Sequence, residues 1–290
     1  MSAINLLALE ARVEALWATP AHAPLPADAE ETIDALLHAL EGGQVRAASK
    51  DADGIWRAVI WVKRGILAGF RTGRMIDQSV MGDARVGRPF TFFDKHTFPV
   101  RALTIDDGIR VVPGGSTIRR GAYVASGVVC MPPMYINVGA HVGAGTLIDS
   151  HALVGSCAQV GERVHVSAAA QIGGVLEPVN ASPVVIEDDV IVGGNCGVYE
   201  GTVVRARAVL AAGVVLTRGT PVFDLVRETV CRASAESPLE IPEGAVVVPG
   251  ARAVKNGWGA EQGLSLQAPV IVKYRDEKTD LSTALEGWLR

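Results

Sequence analysis

Apolar residues fall on every sixth position from Val112 to Ile172, at Val112, Ile118, Val124, Cys130, Ile136, Val142, Ile148, Val154, Val160, Val166 and Ile172. With 49% of the chain apolar, a run of that length in one phase would arise by chance only about four times in ten thousand. The period is therefore real. A second run in the same spacing holds Ile186, Val192, Val198, Val204, Leu210, Leu216 and Val222. The step between the runs is not a multiple of six. Residues 173–185, with Pro178 and Pro183, are thus expected to leave the repeat as an excursion loop.

A period of six matches neither one helix face nor simple strand alternation. It suits a hexapeptide-repeat parallel β-helix, in which six residues build one short strand and one corner, and residues eighteen apart stack. Val and Ile suit the inward slot because β-branched side chains pack well on pleated sheet. The next slot is often Gly, at Gly143, Gly155, Gly161, Gly173 and Gly193, which reads as a demand of sharp corners for unusual φ values. The two runs amount to about six coils, a column roughly 30 Å tall at ~4.8 Å per strand spacing.

Other patterns flank the column. Leu6, Leu9, Val13 and Leu16 have helical spacing, as do Ile33, Leu36, Leu37 and Leu40, with Gly42 and Gly43 as a stop. Residues 45–50 and the segment from Ile55, separated by a turn at 51–54, predict a β-hairpin. WRAVIWVKRGILAGF predicts a third helix, with Trp56, Trp61 and Phe70 as packing residues. FTFFDKHTFPV reads as an irregular edge strand. Phe223 to Ala245 suggests a hairpin or loop, PVIVKYR a strand, and LSTALEGWLR a helix capped by Asp280. The expected organisation is mainly β: an α/β cap over residues 1–105, a β-helix over 106–228, and a C-terminal strand-helix extension over 229–290.

Charge and composition narrow the function classes. With 27 basic and 31 acidic residues, net charge −4, nothing marks a nucleic-acid surface. The first residues mix acidic side chains into their apolar part and lack a cleavage pattern, so no signal peptide is expected. No apolar run approaches the ~20 residues of a membrane span. Cys130, Cys157, Cys196 and Cys231 show no CxxC spacing, and Cys130 takes an inward slot. Reduced buried thiols and a cytoplasmic setting are the expectation.

Asp149 places a charge where five other hexads put Gly, and Glu200 sits in VYEG within the second run. Both are candidate acids, and both could be ordinary surface groups. Glu187, Asp188 and Asp189 read as a solvated corner rather than a metal site. His141, His151 and His165 belong to hexads on three different faces, so they cannot converge on a metal within one chain. No metal is expected. No GxxxxGK[ST], GxGxxG or GxSxG motif occurs at a suitable junction.

RVVPGGSTIRRGAYVASG, then LIDSHALVGSCAQVG and GGVLEPVNASPVVIED, closely resemble the tetrahydrodipicolinate N-succinyltransferase family, over roughly residues 30 to 275. The resemblance implies a left-handed β-helix, homotrimers with active sites between neighbouring prisms, and no tightly bound cofactor. It implies succinyl transfer from succinyl-CoA, a co-substrate, to the amine of ring-opened tetrahydrodipicolinate in lysine and diaminopimelate biosynthesis. On that footing Asp149, in the matching LID position, is the general base that also holds the amine. Glu200 is a second acid, and Arg110 of RVVP receives a substrate carboxylate. The pantetheine arm is expected near Ala211, Ala212 and Gly213, with Arg252, Lys255 and Lys273 meeting the nucleotide phosphates.

One departure stands out. Many members carry Arg-Ser-Glu where this chain has Asn195, Cys196 and Gly197. It leaves room for another acyl donor or amine, with N-acetylation of the same or a related amino dicarboxylate as the alternative. A non-catalytic trimeric scaffold is the alternative outside enzymology.

Overall fold

In the computed structural model, residues 5–79 and 91–276 are described. Helices α1 (Leu6–Ala18), α2 (Ala29–Glu41) and α3 (Ile60–Thr72) form the cap. Asn5 caps α1 by accepting from Ala8 N at 3.2 Å. After α2, Gly43 takes φ +68°, the left-handed turn-off predicted for this stop. The helices bury Leu9, Val13, Leu16, Ile33, Leu36, Leu37, Leu40, Val62 and Ile66 in one core, which also takes in Val138 and Cys157 of the column. Cap and column thus share an apolar seam.

The hairpin is present as β1 (Ala48–Lys50) and β2 (Trp56–Ala58), with Gly54 at φ +77° in its turn. Here the helix expectation needs correction: Trp56 to Ala58 pair with β1, and α3 begins only at Ile60. Pairing of Lys50 with Trp56 gives those residues a ladder that a helix would break. Phe93–Lys95 is a strand, β4, paired antiparallel with β3 (Met75–Asp77).

The column is a three-sided prism. Its first face stacks Arg110–Val111, Val129–Cys130, Leu147–Ile148, His165–Val166, Ile191–Val192, Val209–Leu210 and Ala245–Val248. The second runs from Thr117–Ile118 to Val215–Leu216, and the third from Tyr123–Val124 to Glu240–Ile241, six strands each. Stacked partners stand eighteen apart, as with Ile148 and Val166. Cys130, Ile136, Val142, Ile148, Val154, Val160, Val166 and Ile172 are fully buried inside it. All four cysteines are free thiols, and burial pushes the Cys130 thiol up to about 12.

Three details differ from the sequence reading. In the first coil Val111, not Val112, pairs with Cys130. One extra residue is absorbed at 113–116, where Gly114 and Gly115 take φ +143° and +93°. At the other end Val222 leaves the hexad ladder for a hairpin with Cys231 while staying buried in the column's core, and Glu240–Ile241 and Ala245–Val248 continue the third and first faces. Finally, the glycines at 143, 155, 161, 173 and 193 do not have positive φ. Their reason is close approach: a Cβ on Gly143 would lie 2.5 Å from Gly161 C, which overpacks backbone against backbone. The positive-φ corner residue comes two places later and is often not glycine, as at His151, Cys157, Arg163 and Ala169.

The expected excursion connects Gln171–Ile172 to Val185–Ile186. Lys63 of α3, fully buried, holds it through Nζ to Pro178 O at 3.0 Å and Ala181 O at 2.7 Å. PVIVKYR forms the predicted strand, Val270–Tyr274, antiparallel to Ala245–Val248. The helix expected beyond Asp280 lies outside the described residues.

Candidate active site

Asp149 follows Ile148 directly, at the edge between the first and second faces. Because Ile148 points into the core, strand alternation turns its neighbour outward. The Asp149 backbone is bound on both sides, N–H to Val166 O at 2.9 Å and C=O from Ala152 N at 3.1 Å. Its Oδ1 accepts from Ser150 N at 2.6 Å. Oδ2 has no protein donor among the described residues. The carboxylate is half-buried, with one oxygen fixed and the other open.

The register extends this edge. Asp149 stacks between Met131 and Ser167, and the same column continues through Gly193 to Ala211. Three coil steps separate Asp149 from Ala211, about 14 Å at ~4.8 Å per strand. Small side chains line the interval, and Gly193 is obligatory: a Cβ there would sit 2.6 Å from Ala212 N. Ala212 and Gly213 are exposed at the turn, with Gly213 at φ +81°. The result is a track of small residues along one edge, with Asp149 towards one end and Ala211 to Gly213 at the other.

The other predicted residues are distributed around this track. Arg110 is exposed in the first strand of the first face, two strands before Asp149. Arg252 is exposed on Ala251–Ala253, which leaves the column just after Ala245–Val248, and Lys255 is exposed beyond it. Lys273 lies across from Val246 and pairs with Asp276 at 3.5 Å. Glu200 is elsewhere: it occupies the edge between the second and third faces, exposed, its Oε2 accepting from Arg218 N at 2.9 Å. One chain does not bring it to Asp149.

Sequence reasoning missed what fills the place of the Arg-Ser-Glu acid. Gly197 lies in the outward row of the second face, and the Tyr199 ring folds over it. A Cβ at Gly197 would lie 2.4 Å from Tyr199 Cε2 and 3.0 Å from its hydroxyl oxygen. The phenol occupies the space a side chain at 197 would need.

The third face is also more elaborate than expected. Trp56 does not merely pack: with Arg46, Tyr123, His141, Gln159 and Asp188 it lines a cavity of about 460 Å³ under the hairpin. Glu187 is no solvated corner residue. It binds Lys50 Nζ at 2.8 Å, Trp56 Nε1 at 2.9 Å and Arg205 Nη1 at 3.1 Å. Burial works to raise its pKa, and these donors overcome it, holding the carboxyl below the usual range.

His141 stacks on Tyr123 with ring centroids 4.3 Å apart, and burial, aided by the Arg46 charge, lowers its pKa to about 3. The unfolded chain protonates this imidazole near 6.5, so its contribution is complete above that pH and is lost as pH falls towards 3. Between pH 7 and 5 the loss is about 2 kcal/mol. Urea unfolding at both pH values should show His141→Phe losing less stability than the parent. An equal loss in the two proteins would show that another group governs acid sensitivity.

His141 and His165 lie on the third and first faces, and His151 at the corner after Asp149. Among the described residues no three His, Cys, Asp or Glu side chains are grouped to hold a metal ion, and no helix is long and apolar enough to cross a membrane.

Stacked hexads and three parallel faces define a hexapeptide-repeat protein of the left-handed β-helix class. The model for the tetrahydrodipicolinate N-succinyltransferase N-terminal domain matches residues 8–72, and that for the hexapeptide repeat of succinyl-transferase matches 183–218. The chain is 39% identical to the 2,3,4,5-tetrahydropyridine-2,6-dicarboxylate N-succinyltransferase of Paramagnetospirillum magneticum, over 99% of this chain and 100% of the relative. It is 41% identical to the protein so named in Nitrobacter hamburgensis, over 91% and 90%. The chain belongs to the 2,3,4,5-tetrahydropyridine-2,6-dicarboxylate N-succinyltransferase family. A solved structure of a Campylobacter jejuni protein titled as a 2,3,4,5-tetrahydropyridine-2-carboxylate N-succinyltransferase shares the fold. Its TM-score is 0.52 at 18% identity, covering 86% of this chain and 63% of that one.

Proposed function

We propose that the chain transfers a succinyl group from succinyl-CoA to the amine of ring-opened tetrahydrodipicolinate, releasing CoA. The observation that carries this reading is the open Oδ2 of Asp149 on the same edge as the small-residue turn at Ala211 to Gly213. A thioester arm laid along that track brings its carbonyl to the carboxylate.

The amine lone pair attacks the thioester carbonyl, forming the C–N bond. Asp149 takes the proton that the nitrogen must lose, which is general-base catalysis. Collapse of the tetrahedral intermediate breaks the C–S bond, and the CoA thiolate leaves and is protonated. Backbone N–H groups at the glycine corners are suited to the oxyanion. Arg110 supplies a guanidinium fork for a substrate carboxylate, and Arg252, Lys255 and Lys273 take the nucleotide phosphates.

Glu200 sits on another edge, so its part as a second acid requires a neighbouring prism. The reading therefore includes a homotrimer in which the Asp149 edge of one copy faces the Glu200 edge of the next. CoA release measured with succinyl-CoA and with acetyl-CoA tests the donor. The expected result is a kcat/KM at least ~10-fold higher for succinyl-CoA, about 1.4 kcal/mol of discrimination. Faster release from acetyl-CoA would assign the acetyl alternative, and no release from either would leave the scaffold.

A further inference from the structure

The third face lies across the core from the edge that carries Asp149, because that edge joins the other two faces. The cavity of about 460 Å³ is on this opposite side, between the β1–β2 hairpin and the column. None of its residues takes part in the acyl transfer described above.

Arg46 is its central feature. Its Nε donates to Gln159 Oε1 at 2.9 Å. Gln159 is only 1% exposed, and its own Nε2 is committed to the carbonyls of Cys157 and Ala158 at 2.8 and 3.3 Å. The guanidinium is therefore held from beneath, with the Trp56 ring 5.4 Å away. Among the described residues no carboxylate comes within the 4.0 Å of an ion pair with it, and its Nη groups have no protein acceptor. A partly buried guanidinium without an anion is costly. Its planar fork is shaped for a carboxylate.

A complementary charge stands at the rim. Asp188 is exposed, and its Oδ1 accepts from Glu162 N at 2.8 Å, leaving Oδ2 without a protein donor among the described residues. The remaining charged groups around the cavity are already paired, Glu187 with Lys50 and Arg205, and Glu162 with Arg163. Two opposite charges thus share the cavity, Arg46 within and Asp188 at the mouth: burial disfavours the Arg46 charge and Asp188 supports it through space, but the two make no contact ion pair. The stacked Tyr123 and His141 rings form an aromatic wall of the same cavity.

We propose that this cavity binds a small α-amino acid, its carboxylate on Arg46, its ammonium on Asp188 and its side chain along the Tyr123 and His141 rings. The volume falls in the range of about 300–1,000 Å³ typical of small-molecule sites. A molecule carrying both charges bridges the gap that the protein leaves open, which a simple anion or a simple amine cannot do.

Calorimetric titration of the full chain with L-norleucine, hexanoate and butylamine tests this directly. Norleucine should bind at one site per chain, at least about tenfold tighter than either singly charged probe, as expected for a charge-assisted contact at each end. Asp188→Asn keeps the Oδ1 acceptor for Glu162 N and should lose at least about tenfold in norleucine affinity, as should Arg46→Met. Thermal unfolding of both variants identifies any loss of fold. Asp149→Asn should bind norleucine as the parent does, which separates this site from the acyl-transfer edge. Absence of saturable norleucine binding, equal binding of hexanoate or butylamine, or a loss confined to Asp149→Asn would each overturn the proposal.

Discussion

Asp149→Asn is expected to lower kcat by at least ~10²-fold while leaving the fold and the assembly as they are. The substitution is nearly isosteric, and the asparagine Oδ1 still accepts from Ser150 N, the one hydrogen bond that the carboxylate makes among the described residues. What disappears is the basic oxygen. The attacking amine then has no acceptor for its proton, and the barrier rises by roughly 2.7 kcal/mol for each hundredfold. The acyl donor should bind as before, since its track is built from Ser167, Gly193 and Ala211, whose positions do not depend on the charge at 149. Steady-state rates, the melting temperature and size-exclusion elution together decide the matter. Undiminished turnover in the variant would remove Asp149 from the role of base.

The same carboxylate moved one residue back should destroy the protein. Ile148→Asp exchanges a fully buried side chain in the prism interior for an acid surrounded by Cys130, Val142, Val154 and Val166. It forfeits about 2 kcal/mol of apolar burial. It also carries a desolvation penalty of several kcal/mol with no partner to offset it. Set against a typical folding stability of 5–15 kcal/mol, the expected outcome is an unfolded or aggregated chain at neutral pH. Circular dichroism shows this, and a urea midpoint equal to that of the parent would mean that the inward row has been misassigned. Partial recovery of structure below pH 4 is expected, because protonation removes the charge but not the lost packing.

The contrast between positions 148 and 149 explains why the column was legible beforehand. A hexad places one side chain inside and the next on a corner, so its identity is written locally, in residues a few places apart. Helices α1 and α2 were legible for a similar reason, with Leu9, Val13 and Leu16 on one face and Gly43 at the stop. The corner glycines are legible as positions, but their reason is not. Their φ values are ordinary, and only the position of the next coil's backbone makes Gly143 or Gly193 necessary.

Asp149 stood out as a charge in a glycine slot, but its open Oδ2 and its alignment with Ala211 depend on register across three coils. Tyr199 over Gly197, Lys63 on the excursion loop and the pairing of Trp56 with Glu187 all escaped notice. Lys63 and Trp56 each meet a distant segment that shares no period with their own. Lys63 and Pro178, for example, are 115 positions apart.

The order of apolar residues by itself determined that this chain coils into a three-sided prism with an acid on one edge, because the repeat is a short-range constraint that each hexad satisfies alone. Where the chain breaks that repeat, only the tertiary structure decided the outcome. It resumed the coil at Glu240, laid the β1–β2 hairpin over the third face, and left Arg46 and Asp188 on one cavity, acting on each other through space without a contact ion pair among the described residues. Such contacts arise from how distant segments pack, and packing energies between them depend on shape and desolvation that no local spacing encodes.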